Sequence, residues 1–210
     1  MRITGLVRKG NKVKIAFDDD SFVMVSYEVA VHSGLRKDDE LTEKNKEDLI
    51  RRNELFEIKN SAFRFLSRRL HSSSELRLKL IQKKFRKELI DEIIDFLLEK
   101  EYLNDTEFAD KYTHEKISFK KIGVTKIRSE LIKKGIERET IDSVLNKYSN
   151  DPQLFDNALL LASKKRDFYS RRNLNNQQIK QKLFQFLKGK GFQTDLILKV
   201  FEKFELNQYD

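Results

Sequence analysis

The chain has 210 residues, 39% hydrophobic and 37% charged, with 43 Lys and Arg against 34 Asp and Glu and a net charge of +9. That length suits one or two ordinary domains, and seven glycines with one proline leave too little turn material for an all-β fold. The absence of cysteine excludes disulfides, thiol nucleophiles and thiolate metal sites, and is compatible with a reducing compartment.

The first elements read as strands. Residues 3–7, 13–17 and 22–25 are rich in β-branched and aromatic side chains and are separated by Lys9-Gly10-Asn11 and Asp18-Asp19-Asp20-Ser21. They predict a small antiparallel meander, too slight to be stable without packing on something else. The three adjacent aspartates belong on a tight turn, where neighbouring side chains diverge, and they predict a solvated hairpin rather than a metal cluster.

From Thr42 the pattern turns helical, with Leu49, Phe56 and Phe63 at seven-residue spacing and Ile50, Leu55, Phe65, Leu66 and Leu70 widening the stripe. Either one long helix or two broken near Asn53 or Asn60 satisfies it.

An internal repeat follows. Leu76, Leu80, Ile81, Phe85, Ile90, Ile93 and Ile94 recur 51 residues later as Ile127, Leu131, Ile132, Ile136, Ile141, Val144 and Leu145. A third copy runs through Ile179, Leu183, Phe184, Phe192, Ile197 and Val200, with Gly191 in the place of Gly135 and four additional residues, about one helical turn. Each unit divides into three helices by its caps. Ser72 with Glu75 makes a capping box, and Asn104-Asp105 opens the second unit. Gly135 ends a helix in the left-handed region, and Asp151-Pro152 opens the third unit. The expected fold is mainly α: a strand-rich module at 1–58 with a linking helix, then three tandem three-helix repeats at 59–105, 106–151 and 152–210. Stacked units of this kind form an elongated, curved body.

The residues that usually carry catalysis are missing. His32, His71 and His114 are isolated in sequence, with no metal-ligand spacing, and His114 is expected on a helix surface. No Walker loop or Gly-x-Ser-x-Gly occurs, and Gly189-Lys190-Gly191 reads as a helix end. Carboxylates lie at helix starts and in i, i+4 positions. Neither an enzyme nor a cofactor or metal site is expected. The N-terminus lacks an apolar signal core and no run approaches the roughly 20 apolar residues of a membrane span, so a cytoplasmic chain is expected.

Charge is unevenly placed: residues 1–58 carry a net −1, and the three repeats carry +3, +2 and +5. The basic candidates for a polyanionic partner are Arg64, Arg68, Arg69 and Arg77 in the first repeat and Lys126, Arg128, Lys133 and Lys134 in the second. Lys164, Lys165, Arg166, Arg171 and Arg172 follow in the third. Most of the sixteen Phe fall on apolar stripes and are assigned to core, whereas Tyr169, flanked by Arg166, Arg171 and Arg172, is the aromatic expected to be exposed.

Several of these segments resemble the RecX family in the order in which that family carries them. Leu66-Ser67-Arg68-Arg69-x2-Ser72-x2-Glu75-Leu76-Arg77 resembles its opening motif, and Tyr102-Leu103-Asn104-Asp105-x2-Phe108-Ala109 its link between the first and second repeats. Gly123-x3-Ile127-x2-Glu130-Leu131-x2-Lys134-Gly135-Ile136 is similar to its second-repeat helix, and Lys190-Gly191-Phe192 to its third. Leu70-His71 departs from the common Pro-Arg, Lys84 from the usual Gly, and the strand-rich N-terminus is similar to an extension of some members. The resemblance implies a monomeric, non-catalytic regulator that binds RecA and the RecA–single-stranded-DNA filament. It implies inhibition of RecA's ATPase, strand-exchange and co-protease activities in recombination, DNA repair and the SOS response. It leaves open whether DNA is touched directly and involves neither membrane nor small-molecule substrate. The rival reading is a helix-turn-helix-like transcriptional regulator, since three-helix units also suit that role.

Overall fold

The computed structural model describes residues 1–172 and 174–206. They divide into two compact units, the first from Met1 to Leu103 and the second beginning at Asn104.

The first unit opens with β1 (Ile3–Lys9), β2 (Lys12–Phe17) and β3 (Phe22–Ser26), an antiparallel meander in the order β1-β2-β3. Its register pairs Leu6 with Ile15 and Ile15 with Val23, so Ile15 sits at the centre of the covered face. The aspartate turn behaves as a turn. Asp19 accepts from the Ser21 amide at 3.0 Å and hydroxyl at 2.6 Å, Asp18 accepts from the Arg2 amide, and Asp20 is left-handed with φ 60°. A short helix, α1 (Tyr27–Ser33), follows and ends on left-handed Gly34. Val29 and Val31, following Val23 and Val25 of β3, gave it a strand-like composition that hid it in the sequence.

One unbroken helix of 24 residues, α2 (Glu43–Leu66), answers the question the apolar stripe left open. It serves two cores. Leu49 joins Ile3, Val13, Ile15, Phe17 and Val25 beneath the sheet, while Ile58 and Ala62 join the core of the next helices. Asn53, buried between them, accepts from the Ser26 amide at 2.7 Å and fixes the sheet to the helix. Then come α3 (Ser73–Gln82) and α4 (Lys87–Glu99), whose Leu76, Leu80, Ile90 and Ile94 are fully buried.

The second unit holds α5 (Asp105–Ser118), α6 (Val124–Lys133), α7 (Arg138–Lys147), α8 (Pro152–Ser170), α9 (Asn176–Gly189) and α10 (Thr194–Leu206). Its two repeats share one core that runs from Phe108, Ile127 and Leu131 to Leu183, Phe192 and Val200. The N-cap residues read from sequence accept from the helices they precede. Ser72 accepts from the Glu75 amide, Asn104 from the Glu107 amide and Asp151 from the Gln153 amide, with Pro152 in the first turn. The four residues added in the third repeat lengthen its second helix: α9 has 14 residues where α3 and α6 have 10.

Repeats two and three meet backbone to backbone. The Gly123 amide donates to Lys190 O and the Thr125 amide to Gly191 O, each at 3.0 Å, so the opening amides of α6 are capped by the turn that ends α9. A Cβ on Gly123 would overlap the Gly191 backbone, and one on left-handed Gly191 would overlap Lys126.

Candidate functional site

The repeat places its basic residues in register, and the structure separates those held by carboxylates from those that are not. Arg77 Nε donates to Asp91 Oδ1 at 2.7 Å, and Arg128 pairs with Asp142, each linking the second helix of a repeat to the third. Both partners are 51 residues apart, so this is one ion pair made twice. Arg69 donates to Leu70 O at 2.7 Å and to Glu75 at 2.9 Å, closing the turn between α2 and α3. Arg64, Arg68, Lys126, Lys133 and Lys164 stand exposed.

Lys134 lies 5.6 Å from the Phe108 ring centre and 5.1 Å from that of Tyr112. Its counterparts sit over rings as well: Lys83 5.9 Å from Phe65 and Lys190 5.9 Å from Phe186. All three cap the C-terminus of a second helix, where a cation meets the free carbonyls. The residue after each is left-handed: Lys84, Gly135 and Gly191 at φ 65°, 73° and 88°. Lys83 and Lys190 belong to the basic series the sequence shows, and their shared place at the C-cap is what the structure adds.

Beside Lys134, Glu130 accepts from the Tyr112 hydroxyl at 2.6 Å and pairs with Lys116 at 3.1 Å. Burial opposes the Glu130 charge, but hydrogen bonds from Tyr112 and Lys116 overcome it and hold the carboxyl below its ordinary value. Burial and the same carboxylate push Tyr112 up. For Lys116, desolvation acts downward, yet Tyr112 and Glu130 leave its pKa raised. This cluster braces α5 against α6.

In the third repeat the candidates gather at the end of α8. Lys165 lies 5.1, 6.0 and 5.3 Å from the ring centres of Phe168, Tyr169 and Phe186, and Arg172 lies 4.2 Å from Phe168. Arg166 lies 4.4 Å from Phe204, and Arg171 is exposed at the helix C-cap. Tyr169 is half-buried against the core, and the exposed aromatic is its neighbour Phe168, at 43%. The sequence expected Tyr169 to be the exposed ring of this segment, and Phe168 is exposed instead.

The same three-helix units are found in known proteins. Family models described as the first, second and third three-helix domains of RecX match residues 59–97, 104–145 and 151–201. The chain belongs to the RecX family. A Regulatory protein RecX of Clostridioides difficile is 31% identical over 97% of this chain and 94% of its own length. One of Listeria welshimeri is 34% identical over 93% and 73%. A crystal structure of regulatory protein RecX shares the fold at TM-score 0.77 and 23% identity, covering 96% of this chain and 98% of that one. RecX from Lactobacillus salivarius aligns at TM-score 0.67 and 27% identity over 73% and 97%.

The two departures from the RecX motifs have structural accounts. His71, in place of the common Arg, is buried at 4% exposure, with Nδ1 3.0 Å from Arg69 O and its ring 6.1 Å from that of Phe65. Burial, then the nearby Arg69 charge, lowers its pKa, so the site suits a neutral imidazole and not a cation reaching a partner. Lys84 takes the left-handed conformation that Gly135 and Gly191 take in the other repeats.

Proposed function

We propose that the chain is a cytoplasmic regulator of RecA that binds RecA and its filament on single-stranded DNA. There it lowers RecA's ATPase, strand-exchange and co-protease activities without catalysing a reaction itself. The observation that carries this reading is the complete, ordered series of three RecX three-helix domains. The net positive charge of residues 59–210 supports it, since a filament wrapped on DNA is polyanionic. No helix among the described residues is long and apolar enough to cross a membrane.

The test is RecA's ATPase on single-stranded DNA, titrated with the full chain. A dose-dependent fall is expected, with no preference for any DNA sequence. Unchanged hydrolysis at saturating chain defeats the proposal, and tight binding to one duplex operator would favour a helix-turn-helix regulator instead. Among the candidate residues, the exposed Arg64, Arg68, Lys126 and Lys133 are better placed to meet a partner than Arg77 and Arg128, which Asp91 and Asp142 already engage.

A further inference from the structure

We propose that the end of α8 is a base-stacking platform for single-stranded nucleic acid, a binding activity of this chain by itself and separate from the regulatory reading. Two independent observations carry it.

The first is the geometry of the rings. Phe168 is 43% exposed although Arg172 lies over its ring at 4.2 Å. Tyr169 meets it edge-on at 5.6 Å and 63°, and Lys165 stands among Phe168, Tyr169 and Phe186. An exposed ring met edge-on by a second ring and carrying a guanidinium on its face can receive an unpaired base, because every base offers a π-face that stacks on an aromatic ring or on the plane of an Arg.

The second is the absence of neutralisation. Several arginines elsewhere meet carboxylates, as Arg51 does Glu92, Arg77 does Asp91, Arg86 does Glu54 and Arg128 does Asp142, while Arg64 and Arg68 stand exposed one at a time. Among the described residues, Lys164, Lys165, Arg166, Arg171 and Arg172 have no ion pair, and Asp167 is the one acid within their segment. Five cations around an exposed ring are complementary to a phosphate backbone that presents bases beside it. A duplex fits less well, since its bases are already stacked on each other.

Fluorescence anisotropy with the full chain and no RecA tests this, using a labelled twenty-residue oligothymidylate, an abasic oligomer of equal length, and a blunt duplex. The wild type is expected to prefer the oligothymidylate over both. Phe168→Leu, which keeps an apolar side chain but removes the ring, should weaken oligothymidylate binding about tenfold and leave abasic binding unchanged. Phe168→Trp should restore it, and Arg172→Ala should weaken both single strands and flatten their salt dependence. Circular dichroism melts confirm that each variant folds.

Equal affinity for oligothymidylate and abasic oligomer, or Phe168→Leu binding like the wild type, overturns the platform in favour of a phosphate-only surface. Loss of RecA inhibition in Phe168→Leu with DNA binding intact overturns it in favour of a protein contact. Failure of the wild type to inhibit RecA would sink the regulatory reading and leave this one standing.

Discussion

Lys84 occupies a conformation that its counterparts Gly135 and Gly191 reach without a Cβ. A left-handed non-glycine residue carries a steric cost that exceeds the added chain entropy of glycine, so Lys84→Gly should stabilise the protein by about 0.5–1 kcal/mol. A chemical-denaturation midpoint that moves upward with an unchanged slope checks it. Glu130 gives a prediction in pH. Its folded pKa lies below the ordinary value, so its contribution is complete above that ordinary value and is lost as pH falls through the depressed folded one. Melting temperature should fall over that acidic window, and Glu130→Gln should flatten the dependence there; an unaltered profile would contradict the role given to Tyr112 and Lys116. The match of Lys84 to a glycine position was legible in the sequence, but the surroundings of Glu130 were not. Glu130 and Arg128 look like ordinary surface charges until the fold brings in Tyr112 from α5 and Asp142 from α7.

At the scale of elements, the caps, strands and repeat anchors could be read because each depends on a few adjacent side chains. Ser72, Asn104 and Asp151 all cap the helices they precede. The continuity of α2 could not be read in that way, since its two halves face different cores and its apolar pattern shifts between them. Leu80 and Leu131 hold equivalent, fully buried positions, and alanine at either should cost about 2–5 kcal/mol. Hydrogen exchange should show the loss within Met1–Leu103 for Leu80→Ala. For Leu131→Ala it should spread through both repeats of the second unit, which share a core. Equal loss in β1–β3 and α5–α10 from either variant would rule out this partition.

For the molecule as a whole, the excess of positive charge on the repeats predicts salt-sensitive binding. If about five phosphates are met, affinity for single-stranded DNA should fall with salt at a log–log slope of roughly −3.5. A flat response would remove the polyanionic partner. The sign and location of this charge were plain in the sequence, but its direction was not. Arg77 and Arg128 sit 14 residues from the aspartates that engage them, a distance along the chain that becomes contact only once two helices pack. Tyr169 and Phe168 likewise differ only in which way the last turn of α8 faces.

The seam between Gly123 and Gly191 has a consequence for building with these repeats. Its hydrogen bonds run from main chain to main chain, so they are indifferent to side-chain identity provided both glycines are kept. That part of the joint is portable: a diverged copy put in place of one repeat would keep it, and only the apolar core the two repeats share would need matching. In the third repeat the place of Gly123 is taken by Asn175, whose side chain and that of Gln178 cap the helix start reciprocally. Grafting a fourth repeat there would first require Asn175→Gly, freeing the amides that α6 gives to its neighbour.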